Sequence, residues 1–478
     1  MQQIEKNYFL STLVFCALIV FFKLICLYHV QVPLWVDEAQ YWGWSKELAL
    51  GYYSKPPFIA WLIGFTTHIL GDTTFGVRAA SPVLHFFTAI FVYFIARDIY
   101  NNNKIAFFSA VTYTTLPAAT ISSSFISTDA PLMFFWAAAL YALIHVTKFT
   151  DKKLVLLWAF YAVCVGFGLL SKYTMAAFVL TSFYYIFSTR KGKDMFRPDF
   201  WLANVLAFLI FVPNLYWNYN NHFVSFVHTG ENVVTGGAGG GIHIGDMLEF
   251  LAGQLIVFGP ALVFFVIAIV KKDFGGNKRL LLLFSLPLLA AGIIISLISG
   301  AQAHWAAPAY IAATIFTIGH IIENDKKNWL KIVLITNVVI FVLCLNVKIP
   351  ASIASIKKDP LARVTEWYKL AGPIHAATEF HPEALIVSDE RKIIAPLMFA
   401  LRDKDGNPKT IYKWNPKSLI QDHYDLTRRF TDTSNTTVIF ASRFDRAEYL
   451  SEIYFNIDTI LVPDENQSFY LYVLKGRR

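Results

Sequence analysis

The chain has 478 residues, 56% of them hydrophobic and only 15% charged, where a soluble globular protein carries about 25% charged residues. That balance excludes an ordinary soluble fold and predicts a polytopic membrane protein, because the apolar residues fall in runs close to the roughly 20 residues that span a bilayer as a helix. The net charge of +8 does not point to nucleic acid, since the basic residues of the apolar region sit mainly in short loops, where membrane topology accounts for them.

The N-terminal apolar run lacks a small-residue cleavage site and reads as a retained signal anchor. Eleven spanning helices are predicted, near residues 9–28, 76–96, 105–120, 130–147, 154–170, 173–188, 199–217, 247–270, 280–298, 306–322 and 332–348. With the N-terminus inside, the internal loops carry 16 Lys/Arg and the external loops three, namely Lys46, Lys55 and Lys172. This positive-inside asymmetry predicts that the loop 29–75 and the C-terminus lie outside. Cys16, Cys26, Cys164 and Cys344 all lie in apolar segments without a CxxC pattern. They read as small buried hydrophobes.

In the first external loop, WVDEAQYWGWSKELALGYYSKPP (Trp35–Pro57) predicts a short helix with Asp37 as N-cap and Gly51 as its stop. A second helix is expected from Pro56-Pro57 to about Leu70, lying in the outer membrane interface. The Gly-rich run Thr235–Gly241 lacks the Gly-Lys-Ser/Thr ending of a nucleotide loop and reads as a flexible external loop. After residue 348 charges return. The runs Ala384–Ser388, Thr410–Trp414, Thr437–Ser442, Thr459–Val462 and Phe469–Leu474 predict strands. Val364–Phe380 and Arg391–Leu401 predict helices. The expected architecture is a transmembrane α-helical domain over 1–348 and a soluble α/β domain over 349–478.

The chemistry-bearing residues concentrate at one membrane face. Asp37 and Glu38 stand among Trp35, Tyr41, Trp42 and Trp44; a carboxylate partly withdrawn from water there is suited to accept a proton. Lys55 and Lys172 are cations on the face that topology disfavours, which predicts an anionic ligand. Arg78, where the second span begins, is a further candidate cation. Asp129, at the outer end of a span, reads as a helix N-cap or a substrate-facing acid. His304 and Trp217 mark span ends and are weaker candidates. His222, His228 and His243 have no zinc-motif spacing. Acids, cations and aromatics on one face suit a ligand with a lipid tail in the bilayer and a phosphate at its surface.

The ordered set DEAQYW, GYYSKPP, STDAPLMFFWAAALYAL, GLLSKYT, PNLYWN and QAHWAAPAY resembles the GT-C glycosyltransferases related to protein O-mannosyltransferases and to the aminoarabinose transferases that modify lipid A. The resemblance covers roughly residues 30–320. It implies a polyprenyl-phosphate sugar donor, used on the outer face of the bacterial inner membrane, with inversion at the sugar. It also implies that Asp37 is the essential acid, acting as base or positioning the acceptor or a divalent metal. Lys55 and Tyr52 would bind the donor phosphate, Lys172 would be another phosphate-contacting lysine, and Asp129 would be an acid of the second external loop. Ser54 and Gln40 depart from the pattern, standing where aminoarabinose transferases often have Glu and Arg. The implied acceptor is lipid A or another envelope glycolipid, with a protein hydroxyl as the alternative. A flippase of lipid-linked sugars is the reading from a different class, and it predicts internal repeats and ionisable residues at mid-span.

Overall fold

The computed structural model describes residues 2–146, 153–189, 197–234, 241–272, 275, 278–345, 366–431, 436–462 and 469–478. Most of the Gly-rich run Thr235–Gly241 lies outside the described residues. The chain divides into two compact units. The first holds Met1–Val30, Lys55–Ile59 and Arg78–Lys348; the second holds Gln31–Ser54, Ala60–Val77 and Ile349–Arg478. Most of the first external loop therefore packs in the same unit as the C-terminal segment rather than with the membrane helices that flank it in sequence.

The first unit is helical. Its elements include α1 (Gln2–His29), α5 (Ala80–Tyr100), α6 (Asn103–Thr115), α7 (Pro117–Ser122), α8 (Asp129–Val146), α9 (Lys153–Ser171), α10 (Met175–Thr189) and α11 (Pro198–Asn220). They continue with α12 (Val224–Val234), α13 (Ile244–Phe258), α14 (Ala261–Val270), α15 (Lys278–Leu283), α16 (Leu286–Ser299), α17 (Ala309–Glu323) and α18 (Lys327–Leu345). Each of the eleven predicted segments is mainly helical over its described residues, but among those residues seven helices are long and apolar enough to cross a membrane. Proline explains two of the differences. The segment 105–120 breaks before Pro117 into α6 and α7. The segment 247–270 bends by 108° between α13 and α14, where Gly259 takes φ +61° and Pro260 has no N–H to continue the helix.

The core of this unit lies around α8 and α17, which are apolar on nearly all sides and buried, as such helices must be. Trp136 of α8 meets Phe178 of α10 edge-on at 5.0 Å, and Phe258 stacks on Tyr310 at 4.8 Å. Cys16 and Cys164 are buried, as expected of small hydrophobes. Lys23, inside α1, is buried; its ammonium donates to the Thr120 carbonyl at 2.6 Å and to Ser124 Oγ at 2.8 Å. A charge in a span is tolerated when its donors are met this way, and the bonds pin α1 to the end of α7.

The second unit holds α2 (Val36–Lys46), most of α3 (Phe58–Leu70) and α4 (Thr74–Arg78), and a five-stranded sheet. The strands are β1 (Leu385–Ser388), β2 (Tyr412–Lys413), β3 (Val438–Ser442), β4 (Tyr454–Val462) and β5 (Phe469–Arg477), in the order β2-β1-β3-β5-β4. β1 runs parallel to β2 and β3, with Ile386 opposite Ile439; β5 runs antiparallel to β3 and β4, with Ile439 opposite Val473. Every residue of β3 is buried, as befits a central strand covered on both faces. The longer helices of this segment are α19 (Ala371–Phe380), before β1, and α20 (Arg391–Ala400), between β1 and β2. Each strand overlaps a predicted run; β2 keeps only Tyr412–Lys413 of Thr410–Trp414, whereas β4 and β5 are longer because they pair with each other along their length.

Candidate active site

The acidic stretch folds as α2 within the second unit. Trp35, not Asp37, is its N-cap, and the helix ends at Lys46 rather than running to Gly51. Glu38 is turned inward. Its side chain is buried, and Oε2 accepts the Trp35 N–H at 3.0 Å, a capping bond. Consecutive helical residues point about 100° apart, so Asp37 and Glu38 cannot share a face. Asp37 takes the outer one. Its side chain is 62% exposed, which is more open than the aromatic flank of the sequence suggests. Asp37 Oδ1 accepts from Arg391 Nη1 at 2.8 Å, and the same nitrogen donates to Gln40 Oε1 at 2.7 Å. Burial alone would lower the Arg391 pKa, but Asp37 outweighs it and holds the guanidinium above its usual range.

The rest of α2 is gripped by C-terminal residues of the same unit. Phe399 meets Trp42 edge-on at 4.9 Å. Arg428 pairs with Glu47, and the Tyr368 hydroxyl donates to the Leu34 carbonyl. Asp72, just after α3, accepts from Trp42 Nε1 and pairs with Lys46, both at 2.6 Å.

Tyr52 lies in this frame. Its ring stacks on Trp44 at 4.4 Å. Its hydroxyl donates toward the Trp44 and Glu47 carbonyls at 3.0 and 3.2 Å and accepts the Ala49 N–H at 3.1 Å. It closes the end of α2, the role that the sequence assigns to Gly51, and burial raises its pKa. His423 packs edge-on against both rings. Burial, opposed by Asp422 and helped by Arg428, holds His423 down at about 3, so it packs as a neutral imidazole. Tyr52→Phe is expected to cost about 1–3 kcal/mol of stability, because backbone groups lose a buried partner. The measurement is the thermal unfolding midpoint in detergent; an unchanged midpoint would return the hydroxyl to a ligand-binding role.

The cationic residues belong to the first unit. Asp129 is the first residue of α8, with its side chain 14% exposed. Lys172, in the turn between α9 and α10, donates to Asp129 Oδ1 at 2.6 Å. His304, in a short 3-10 turn before α17, places Nε2 3.9 Å from Asp129 Oδ2. Lys55 lies within electrostatic reach of His304. Burial lowers the His304 pKa; Asp129 opposes that shift, and Lys172 and Lys55 reinforce it, so the imidazole stays below its usual range. The structure thus brings together four residues that lie far apart in sequence, two lysines, an acid and a neutral imidazole.

Arg78 is buried at the end of α4. Trp217 is half-buried in the last turn of α11, where its carbonyl accepts the Asn221 N–H. Two features go beyond the sequence expectations. Arg391 is one; no motif marks it. The other is the support behind Lys172: the neighbouring Tyr173 hydroxyl donates to Asn214 Oδ1 at 3.1 Å, and Asn218 Nδ2 donates to that hydroxyl at 3.4 Å. The signal for it was the co-occurrence of SKYT and PNLYWN.

A divalent metal at Asp37 does not fit this donor set. Asp37 Oδ1 faces a guanidinium, and among the described residues no three His, Cys, Asp or Glu side chains gather as metal ligands.

Known proteins share this architecture. Residues 54–217 match the family described as dolichyl-phosphate-mannose-protein mannosyltransferase. The lipid A galacturonosyltransferase RgtD of Rhizobium johnstonii is 28% identical over 411 residues, 84% of each chain. The undecaprenyl phosphate-alpha-4-amino-4-deoxy-L-arabinose arabinosyl transferase of Pseudomonas aeruginosa is 26% identical over 196 residues, 38% of this chain and 36% of its own. Apo ArnT from Cupriavidus metallidurans has the same fold, with a TM-score of 0.69 at 12% identity over 96% of this chain and 97% of that one. ArnT bound to undecaprenyl phosphate gives 0.66 at 13% identity over the same shares of the two chains. The fold of ArnT is kept from end to end and a sugar-transferring relative is matched over most of its length, findings that together support a glycosyltransferase of the GT-C type.

Proposed function

We propose that the protein transfers a sugar from a polyprenyl-phosphate carrier to lipid A on the outer face of the bacterial inner membrane. The observation that carries this reading is the group formed by Lys55, Lys172, Asp129 and His304. Two ammonium groups gather there near the end of a membrane span, and the Lys/Arg asymmetry of the sequence argues that this is the face that disfavours them. A phosphate on a membrane-embedded tail is the ligand that such a group fits.

In the reaction, the bond between the sugar C1 and the phosphate oxygen breaks, and the phosphate leaves with the electron pair. Lys55 and Lys172 stabilise the charge that develops on it. An acceptor hydroxyl attacks C1 from the opposite face, which inverts the configuration, and its proton passes to Asp37. The products are the glycosylated acceptor and polyprenyl phosphate. Asp129 fixes the Lys172 ammonium, and neutral His304 adds no further positive charge beside the two lysines. Arg78, Trp217, Glu38 and Tyr52 have no direct role in this reading.

The sugar is a hexuronic acid first and an amino-pentose second. The first choice rests on the galacturonosyltransferase relative, which matches over 84% of the chain against 38% for the aminoarabinose relative.

Two measurements test the reading. Mass spectrometry of lipid A from a deletion strain is expected to show the loss of one sugar mass. The purified enzyme is expected to transfer one of two donors to lipid A, undecaprenyl-phosphate-linked galacturonic acid or 4-amino-4-deoxy-L-arabinose. Lys55→Ala should raise the donor KM by roughly 10–100-fold, the worth of one hydrogen bond to a charged group. Unaltered lipid A in the deletion strain, with neither donor used, overturns the proposal.

A further inference from the structure

Arg391 opens α20 directly after β1 and the Asp389-Glu390 turn. A cation in the first turn of a helix opposes the helix dipole, so this position does not favour arginine for the sake of the helix. Its guanidinium points to α2, where one nitrogen bridges Asp37 Oδ1 and Gln40 Oε1. Gln40 is 1% exposed, so its amide oxygen is a fixed anchor rather than a mobile surface group. The helix beneath is fixed as well, by Phe399 of α20 against Trp42. Asp37, by contrast, is open to solvent on its other side, and an ion pair at so exposed a carboxylate adds little to stability.

We infer that Arg391 is a positioning residue for sugar transfer, which makes the C-terminal domain part of the catalytic apparatus rather than a passive cap. This rests on the reading of Asp37 as proton acceptor. With Oδ1 held by Arg391, the carboxylate keeps one orientation and presents Oδ2 to the acceptor hydroxyl. Gln40 holds the guanidinium, so the geometry is set by two rigid helices. Proton transfer demands a short, aligned approach, and a misplacement of about 1 Å costs roughly 10²-fold in rate.

The test uses the full-length enzyme in detergent, with the two undecaprenyl-phosphate donors named above and lipid A. Arg391→Ala should lower kcat by roughly 10–100-fold, with the donor KM unchanged and the thermal midpoint lowered only modestly, because the buried Gln40 amide oxygen loses its partner. Arg391→Lys should recover part of the rate, since an ammonium still offers Asp37 a cation but lacks the planar guanidinium that fixes its position. The decisive variant exchanges the two partners, Gln40→Arg with Arg391→Gln. Residues 37 and 40 are three apart on α2 and so are neighbours on its surface, and the relocated guanidinium should restore most of kcat. A merely structural Arg391 would lower the thermal midpoint and leave kcat at saturating donor near the wild-type value. A near wild-type rate for Arg391→Ala, or an exchange variant no faster than Arg391→Ala, overturns the inference. If Asp37→Asn is also fully active, the underlying reading of Asp37 fails as well; if only Arg391→Ala is active, the inference fails alone.

Discussion

Asp37→Asn is expected to lower kcat by about 10²–10⁴-fold, the usual contribution of a positioned general base, while the protein accumulates in the membrane at its normal level. The substitution is nearly isosteric. Its amide oxygen can still accept from Arg391, and the side chain is exposed, so the fold loses little. What it loses is the ability to take a proton from the acceptor. Donor binding depends on residues of the other unit and should not change, so the donor KM is the internal control. The check is the initial rate of transfer to lipid A at saturating donor. A variant that keeps more than a tenth of the wild-type rate would remove Asp37 from the proton-accepting role.

Lys172→Ala is expected to have the largest effect on stability, a loss of about 3–5 kcal/mol, because it leaves a largely buried Asp129 carboxylate without its ion-pair partner. His304, 3.9 Å away and held toward its neutral form, does not replace the ammonium. The companion variant, Lys172→Met with Asp129→Leu, removes both charges and should regain most of the stability, since apolar replacements of a buried pair are often neutral or better. Sugar transfer should stay reduced in both variants, because the phosphate has lost one of its two cations. Thermal unfolding and transfer rate, measured side by side, separate the two roles. A double variant as unstable as Lys172→Ala would refute the ion-pair account.

Much of the architecture is readable from local sequence. Apolar runs locate the helical segments, and alternating strands with a return of charge locate the sheet. The bend at Gly259-Pro260 and the break before Pro117 carry ordinary breaker signals; they are hidden only when hydropathy is averaged over a window. The candidate site is legible in kind rather than in detail. Lys55 and Lys172 stand out because topology makes external cations rare. The inward turn of Glu38 follows from helical geometry once Trp35, not Asp37, caps α2. The capping role of Tyr52 depends on a backbone reversal over Glu47–Tyr52 that no propensity specifies. Arg391 could not have been found at all: its bond to Asp37 joins residues 354 apart, and nothing local announces it. Gln40 acquires a physical meaning there, since it holds the guanidinium that residue 391 brings to Asp37.

That separation has a consequence for biogenesis. At the usual 5–20 residues per second, the ribosome needs roughly 20–70 s to extend the chain over the 354 residues from Asp37 to Arg391. For that interval the nascent α2 lacks Phe399 over Trp42 and His423 against Trp44 and Tyr52. Uncovered aromatic surface of this kind is what chaperones and quality-control proteases bind. Synthesis of the C-terminal segment, rather than membrane insertion of the helices, is therefore the event that covers the aromatic face of this helix.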